Sequence, residues 1–173
     1  MNKIPTPEEC IEILKKAGCS NGVIEHCKAV RDFAVRIAKK AGADVELVEA
    51  GALLHDIGRS KTHSMKQVIE GIRIAKQLNL PDKIVRIIER HIGAGISKDE
   101  AVKLGLPENN YMPITLEEKI VCHADNLIQS GKKQSIEKEV RKALKQGFND
   151  YAIRLIELHK ELTEICGMDI KDI

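Results

Sequence analysis

Apolar side chains recur along most of this chain at the spacing of an amphipathic helix, with polar side chains between them. Residues three and four positions apart share one face of a helix. The segment that begins at Val23 keeps such an apolar stripe through Val30, Phe33 and Ile37 to Ala41. The alternation of apolar and polar residues that marks a half-buried strand is not seen. The chain is therefore predicted to be all-α.

Capping residues, prolines and glycines set the expected helix boundaries. Thr6 and Glu9 form a capping box with a proline at the first helical position, and the pair Ser64 and Gln67 has the spacing of another. Several periodic segments stop at a glycine. We expect helices at about 6–17, 23–41, 44–57, 64–78, 81–92, 97–104, 115–128, 135–146 and 149–166. Residues 59–63 and 105–113 are expected to be loops.

Length and composition favour one compact domain. A chain of 173 residues is long enough to bury a substantial core. Hydrophobic residues make up 43% and charged residues 31%, with two Tyr, two Phe and no Trp, a composition typical of helical proteins. The net charge is +2, and basic and acidic residues are interleaved. This balance, with few aromatic rings for base stacking, argues against a nucleic-acid partner.

Cysteine usage and hydropathy predict a cytoplasmic protein. The five cysteines are odd in number and lack C-x-x-C spacing, which indicates free thiols in a reducing compartment. The first twenty residues have no apolar signal-peptide core, and no apolar run approaches the roughly 18 residues of a membrane span. We expect no contact with a membrane.

Ionisable side chains interrupt four otherwise apolar helix faces. They are His26, His55, Asp56, His91 and Asp125. Burying an unpaired aspartate costs several kcal/mol, so it normally finds a cation or raises its pKa. Imidazole nitrogen and carboxylate oxygen are common transition-metal ligands. A single metal site between central helices would explain all five residues together.

The order His26, then His55-Asp56, then Asp125 resembles the H…HD…D pattern of the HD-domain metal-dependent phosphohydrolases. Residues 52–58, with the sequence ALLHDIG, resemble the signature of the HDIG subgroup. The stretches 89–96 and 119–127 are similar to those of small, largely uncharacterised archaeal HDIG-domain proteins. The resemblance spans roughly residues 23–128, and four ordered ligands are more specific than the two-letter motif.

The resemblance implies one HD domain over residues 1–173, with a bundle core at about 21–130. The N-terminal helix at 6–17 and the C-terminal helices at 135–166 are expected to pack on this core. Metal ligation is implied for His26, His55, Asp56 and Asp125, with open positions for water and substrate. A second ion would use His91, and His63 could assist because Gln67 occupies a position where the family often has histidine. One ion and two ions both remain open.

The implied chemistry is hydrolysis of a phosphate ester by metal-activated water. Asp56 and His91 are the expected catalytic residues, and His91 could bind the second ion or donate a proton. Arg59 and Lys61 follow the ligand pair and are assigned to phosphate binding. Mn, Fe, Co or Ni suit the ligands best, with Mg or Zn as alternatives. A nucleotide or another small phosphorylated metabolite is the expected substrate, by analogy with the family.

Other interpretations stay open at this stage. The chain could be a non-catalytic nucleotide or metabolite sensor that keeps the HD fold, or a structural adaptor with a closed metal site. The final helices could cap the bundle or form a homodimer face, because one apolar stripe suits either role. Its members are Ala152, Leu155, Ile156, Leu162 and Ile165. His123 is expected on the surface, and His159 is expected in the helix packing.

Overall fold

The computed structural model describes residues 3–173, and helices dominate this part of the chain. The α-helices are Pro7–Ala17 (α1), Asn21–Ala41 (α2), Val45–Leu54 (α3), Gln67–Gln77 (α4), Asp82–Glu89 (α5), Lys98–Lys103 (α6), Leu116–Leu127 (α7), Ile136–Lys145 (α8) and Asn149–Cys166 (α9). Two short 3-10 helices cover Ile57–Ser60 and Ile170–Asp172. The all-α prediction is confirmed.

The structure contains a small antiparallel hairpin that the sequence analysis did not anticipate. Strands Ile128–Gln129 (β1) and Lys132–Lys133 (β2) pair antiparallel directly after α7. The two turn residues, Ser130 and Gly131, both have positive φ values, as a type I′ hairpin turn requires. Two residues per strand are too few to produce a readable alternation of polar and apolar positions.

Of the two capping boxes expected from the sequence, one is confirmed and one is wrong. Thr6 and Glu9 form the reciprocal hydrogen bonds of a capping box. Ser64 does not cap α4, which begins three residues later at Gln67 without a side-chain cap. Instead, the Ser64 hydroxyl accepts a hydrogen bond from the Lys66 backbone N–H at 3.3 Å. A serine that satisfies its own turn competes in this way with helix capping.

Helix α3 lies at the centre of the bundle and is buried on almost every side. It packs against α1, α2, α5 and α7, and its residues 50–54 are all buried. Gly51 lets α5 approach closely, because a Cβ at this position would lie 2.5 Å from Cδ1 of Ile87. The apolar run seen in the sequence is therefore a core helix, whose C-terminal end projects into the bundle.

The chain turns sharply where α3 ends. The helix was expected to continue to residue 57, but it stops at Leu54, and Asp56 adopts φ −99° and ψ 15°. Residues 59–63 were expected to be a loop, but Arg59 and Ser60 belong to the 3-10 helix Ile57–Ser60. Gly58 packs directly on the start of α4, since a Cβ there would lie 1.8 Å from the carbonyl oxygen of Gln67. This contact fixes the position of the turn.

One side-chain prediction is wrong because α9 covers a face of α7. His123 was expected on the surface but is fully buried between these helices. Its Nε2 lies 2.7 Å from Nδ1 of His159, which packs there as expected. Of the apolar stripe on α9, Ile156 and Ile165 remain about half exposed.

The remaining composition-based predictions concern thiols and membranes. All five cysteines are free, as expected, and four of them are buried. Among the helices of the described residues, none combines the length and the apolar content that a bilayer span needs.

Candidate metal centre

Three core elements bring together the four ligands expected from the sequence. His26 comes from α2, His55 and Asp56 from the end of α3, and Asp125 from α7. Nε2 of His26 lies 2.8 Å from Oδ1 of Asp125 and 3.6 Å from Oδ2 of Asp56. Nε2 of His55 lies 3.2 Å and 3.4 Å from the same two oxygens. The donor atoms therefore converge on one point.

The spacing of these atoms fits a metal ion. Ligands about 2.1 Å from a cation stand about 3.0–3.4 Å apart when adjacent in octahedral or tetrahedral geometry. The measured separations of 2.8–3.6 Å bracket that range. Two imidazoles and two carboxylates are also a ligand set that first-row transition metals favour. The residues present thus fit the ion that the sequence analysis expected.

A backbone hydrogen bond orients His55 for ligation. Its Nδ1 lies 2.6 Å from the carbonyl oxygen of Ala52, one turn earlier in the chain. A carbonyl oxygen can only accept, so Nδ1 carries the hydrogen, and Nε2 faces the carboxylates. Metal-binding histidines are commonly held in this manner, which fixes both the tautomer and the ring orientation.

His91 has the same arrangement but lies on the other side of Asp56. It follows the end of α5, and its Nδ1 donates to the carbonyl of Ile88 at 2.7 Å. Its Nε2 lies 3.2 Å from Oδ1 of Asp56, whereas the convergent cluster uses Oδ2. Both His91 Nε2 and Asp56 Oδ2 are buried without a hydrogen-bond partner among the described residues. Buried polar atoms of this kind need a ligand.

The electrostatics of the cluster keep both carboxylates ionised. Burial opposes ionisation of Asp56, yet His55 and His91 hold the pKa of its carboxyl well below the usual range. Burial likewise opposes ionisation of Asp125, whose pKa is lowered by His55 and by a hydrogen bond with His26. Burial alone would lower the pKa of His55, but the two carboxylates raise it well above its ordinary value. The site is thus a concentrated negative charge that attracts cations.

The other predicted site residues divide into those near the cluster and those away from it. Nε of Arg59 lies 3.3 Å from Oδ2 of Asp56. Gln67 is buried, and its side-chain oxygen has no partner among the described residues. Lys61 and His63 are exposed, and no described contact joins either to the cluster. The structure therefore does not bring His63 to a position from which it would support a second ion.

A loop after His91 and one residue of α9 also belong to this region, and the sequence analysis did not assign them. The carbonyl of Gly93 accepts hydrogen bonds from Nδ2 of Asn126 at 2.7 Å and from the thiol of Cys122 at 3.0 Å. The ring of Tyr151 packs on Gly93, 3.5 Å from where a Cβ would be. Asn126 adjoins a ligand in sequence, which was a readable signal, but nothing in the sequence placed Tyr151 here.

Comparison with known proteins identifies the family of the region that holds the centre. The sequence model of the HD domain matches residues 23–129, a range that includes His91 and all four converging ligands. The chain is 48% identical over 165 residues to the uncharacterised protein MJ0778 of Methanocaldococcus jannaschii, covering 91% of this chain and 97% of that one.

Other relatives differ in length or in degree of similarity. The chain is 46% identical over 170 residues to the tRNA (cytidine(56)-2'-O)-methyltransferase of Thermoplasma volcanium, covering 98% of this chain and 50% of the relative. The chain thus spans about half the length of that protein. A crystal structure of the HD domain of the L. monocytogenes phosphodiesterase PgpH, in complex with cyclic-di-AMP, superposes with a TM-score of 0.62 at 19% identity, covering 94% of each chain. At this low identity, the superposition shows only that the two chains share a fold.

Proposed function

The chain belongs to the HD-domain family, and from this premise we propose that it is a metal-dependent phosphohydrolase. The proposed reaction is cleavage of a phosphate ester, with water as the nucleophile and a nucleotide as the substrate. The observation that carries the proposal is the convergence of His26, His55, Asp56 and Asp125 at ligand separations of 2.8–3.6 Å. A cation bound there would be held by two ionised carboxylates and two imidazoles.

Each residue of the centre has a distinct part in this reaction. When bound, the ion supplies a Lewis acid that polarises a phosphoryl oxygen and lowers the pKa of a coordinated water. Arg59 stands beside Asp56 with its guanidinium group partly exposed, where it can orient the phosphate and offset its charge. His91 holds the far oxygen of Asp56 and thereby fixes the direction of that ligand. Nε2 of His91 is also placed to exchange a proton at that oxygen.

We propose that these ligands hold one ion and not two. His91 and one oxygen of Asp56 lie on the far side of the cluster, where a second ion would need further ligands. Gln67 carries a neutral amide, and the side chain of His63 is exposed. Mn, Fe, Co or Ni are proposed for the main position, because mixed nitrogen and oxygen ligands suit them.

The preference for a nucleotide rests on the HD-domain relatives. The solved PgpH domain binds cyclic-di-AMP, a molecule built of two nucleotides joined by phosphodiester bonds. The methyltransferase name belongs to a protein twice as long as this chain. Because the ligands lie within the residues that match the HD domain, phosphate chemistry accounts for them, whereas methyl transfer gives them no role.

A phosphodiester within RNA is a second candidate, and one surface feature favours it. Four cations lie three, four and seven positions apart on the exposed face of α8, namely Lys138, Arg141, Lys142 and Lys145. Such a stripe can follow a phosphate backbone. It would make binding strongly salt-dependent, whereas hydrolysis of a mononucleotide at the metal centre would depend little on salt.

The test is hydrolysis by metal-stripped protein resupplied singly with Mn, Co, Ni, Fe, Mg or Zn. The substrates are p-nitrophenyl mono- and diesters, nucleoside monophosphates and triphosphates, and a short RNA. We expect metal-dependent release from at least one nucleotide, and loss of both bound metal and hydrolysis in Asp56→Ala. The matched control is Asp32→Ala, which removes an exposed carboxylate of α2. Tight nucleotide binding without turnover under every metal would instead identify a sensor.

A further inference from the structure

A cavity of about 760 Å³ lies between residues 92–96 and the start of α9. We propose that this cavity binds the nucleobase of the substrate, with Phe148 and Tyr151 as the residues that contact the base. The proposal rests on the proposed function and deepens it, because it assigns a site to the base of the nucleotide as well as to its phosphate. The volume of the cavity falls within the range of about 300–1,000 Å³ that is usual for small-molecule sites.

The loop after His91 connects this cavity to the metal centre. His91 contacts Asp56 at the centre, and the next two residues, Ile92 and Gly93, already line the cavity. The carbonyl of Gly93 is held by Asn126, which follows the ligand Asp125 in α7. The wall of the cavity therefore begins at the residue directly after His91, so one short loop contributes to both sites.

The composition of the cavity wall is unusual for this protein. The whole chain has only four Phe and Tyr residues, and two of them, Phe148 and Tyr151, line this one cavity. The other two, Phe33 and Tyr111, are buried, and the backbone of Tyr111 pairs with Ile96 of the cavity wall. Phe148 is 56% exposed although a large aromatic ring gains from burial. Flat aromatic surfaces are what a nucleobase stacks on.

The backbone places both rings on the same side of α9. Gly147 takes a positive φ of 77°, and the Phe148 N–H then bonds to the carbonyl of Ala143 at 2.9 Å. This turn fixes Phe148 at the N-terminus of α9, and Tyr151 follows three residues later on the same helical face. The two rings are thus presented by a defined turn.

Tyr151 lies where the cavity meets the loop after His91. Its ring packs on Gly93, two residues after His91. Burial, together with the carboxylate of Glu139, raises the pKa of its hydroxyl group. The protonated hydroxyl can donate a hydrogen bond to a sugar oxygen of a nucleotide bound here.

The opposite wall is held by a charged pair. Arg154 bonds to both carboxylate oxygens of Glu100 at 3.0 Å and to the carbonyl of Gly95 at 3.1 Å. These contacts tie α9 to the start of α6 and keep the cavity open without a ligand. The family match ends at residue 129, so the aromatic wall is supplied by helices outside the matched region. Base recognition is accordingly a property of α9 and the turn before it.

The decisive experiment compares AMP with ribose 5-phosphate, which lacks only the base. Both are titrated into the protein loaded with diamagnetic Mg or Zn, under conditions in which no product forms, while aromatic proton resonances are recorded. We expect AMP to shift the resonances of Phe148 and Tyr151 and to leave that of Phe33 in place. Ribose 5-phosphate should leave Phe148 and Phe33 unchanged. Equal responses to both ligands, or no response to AMP, would overturn the inference.

Variants separate stacking from folding. Phe148→Ala should weaken AMP binding about tenfold, the loss expected for one base–aromatic contact. Phe148→Tyr, which keeps a flat ring, should restore most of the affinity. The matched control is Ile153→Ala, which trims an exposed side chain of α9 that does not line the cavity. An equal loss in Ile153→Ala, or no loss in Phe148→Ala, contradicts the assignment.

The outcomes distinguish this inference from the proposed function. AMP binding at these rings without hydrolysis under any metal would support the base site and contradict the phosphohydrolase assignment. Hydrolysis of AMP and ribose 5-phosphate with the same kcat/KM, unaffected by Phe148→Ala, would support the phosphohydrolase assignment and contradict the base site.

Discussion

The substitution His123→Gln tests whether the core holds a histidine neutral at acid pH. His123 is fully buried, its Nε2 donates to His159, and its Nδ1 has no partner among the described residues. His159 in turn lies 3.0 Å from Oδ1 of Asp169. Protonation of His123 would place a second N–H where no acceptor exists. Glutamine keeps a donor toward His159 but does not titrate.

The size of the effect follows from the pKa. Burial, and then the proximity of His159, lowers the pKa of His123 to about 3. In the unfolded chain the pKa of a histidine is about 6.5. Between pH 7 and pH 5, His123 therefore binds a proton in the unfolded state but not in the folded state. The free energy of unfolding consequently falls as the pH falls. The loss over this interval is about 2 kcal/mol.

The assay is urea unfolding at pH 7 and pH 5 with a chelator present, followed by circular dichroism because the chain has no Trp. Wild-type protein should lose about 2 kcal/mol more than His123→Gln over this interval. The raised pKa of His55 acts in the opposite direction, but it is common to both proteins and cancels in the comparison. The exposed His63 provides the control His63→Gln. Parallel losses in wild type and His123→Gln would refute the reasoning.

Three further predictions concern the turn and the metal centre. Gly58→Ala should lower the free energy of unfolding by about 3 kcal/mol or more, because its Cβ would lie 1.8 Å from the carbonyl of Gln67. The control in the same urea assay is Gly22→Ala, whose Cβ would meet only the Ser20 hydroxyl at 3.9 Å. Asp125→Asn should lower metal affinity at least 100-fold, measured by competition with a chelator, because it removes a charged ligand. Arg59→Ala should raise KM for the phosphate ester about tenfold while leaving bound metal unchanged; loss of metal would contradict its role with substrate.

The fold was predictable from the sequence because its rules are local. Helix faces and caps depend on residues three and four positions apart. Eight of the nine α-helices of the described residues lie within segments expected to be helical, and α2 begins two residues before its segment. The failures have two causes. His123 lies on a face of α7 that α9 covers, so a distant element decided its burial. Ser64 failed for a local reason, because its hydroxyl bonds to the N–H of Lys66 two residues later and does not cap α4.

The metal centre was predictable for a different reason. An aspartate or histidine on an apolar helix face is costly unless it has a partner, so each ligand was visible without knowledge of its neighbours. Tyr151 and Phe148 carry no such signal. An aromatic residue at helical spacing looks the same in sequence whether it fills a core or lines a cavity. Only the packing of α9 beside the loop after His91 distinguishes the two.

The ligands of the centre differ in exposure, and this difference bears on whether a bound ion would be structural or catalytic. His55 and Asp56 are almost completely buried, whereas the side chains of His26 and Asp125 are about one-fifth exposed. The carboxylates stay ionised because their pKa values are lowered, and the raised pKa of His55 lets a proton on its ring balance part of their charge when no ion is bound. Helix α3 is meanwhile held by apolar contacts on all sides. A structural ion would be enclosed and needed for folding, whereas the side of this site formed by His26 and Asp125 is accessible. That arrangement favours an ion that meets substrate over one that ties helices together.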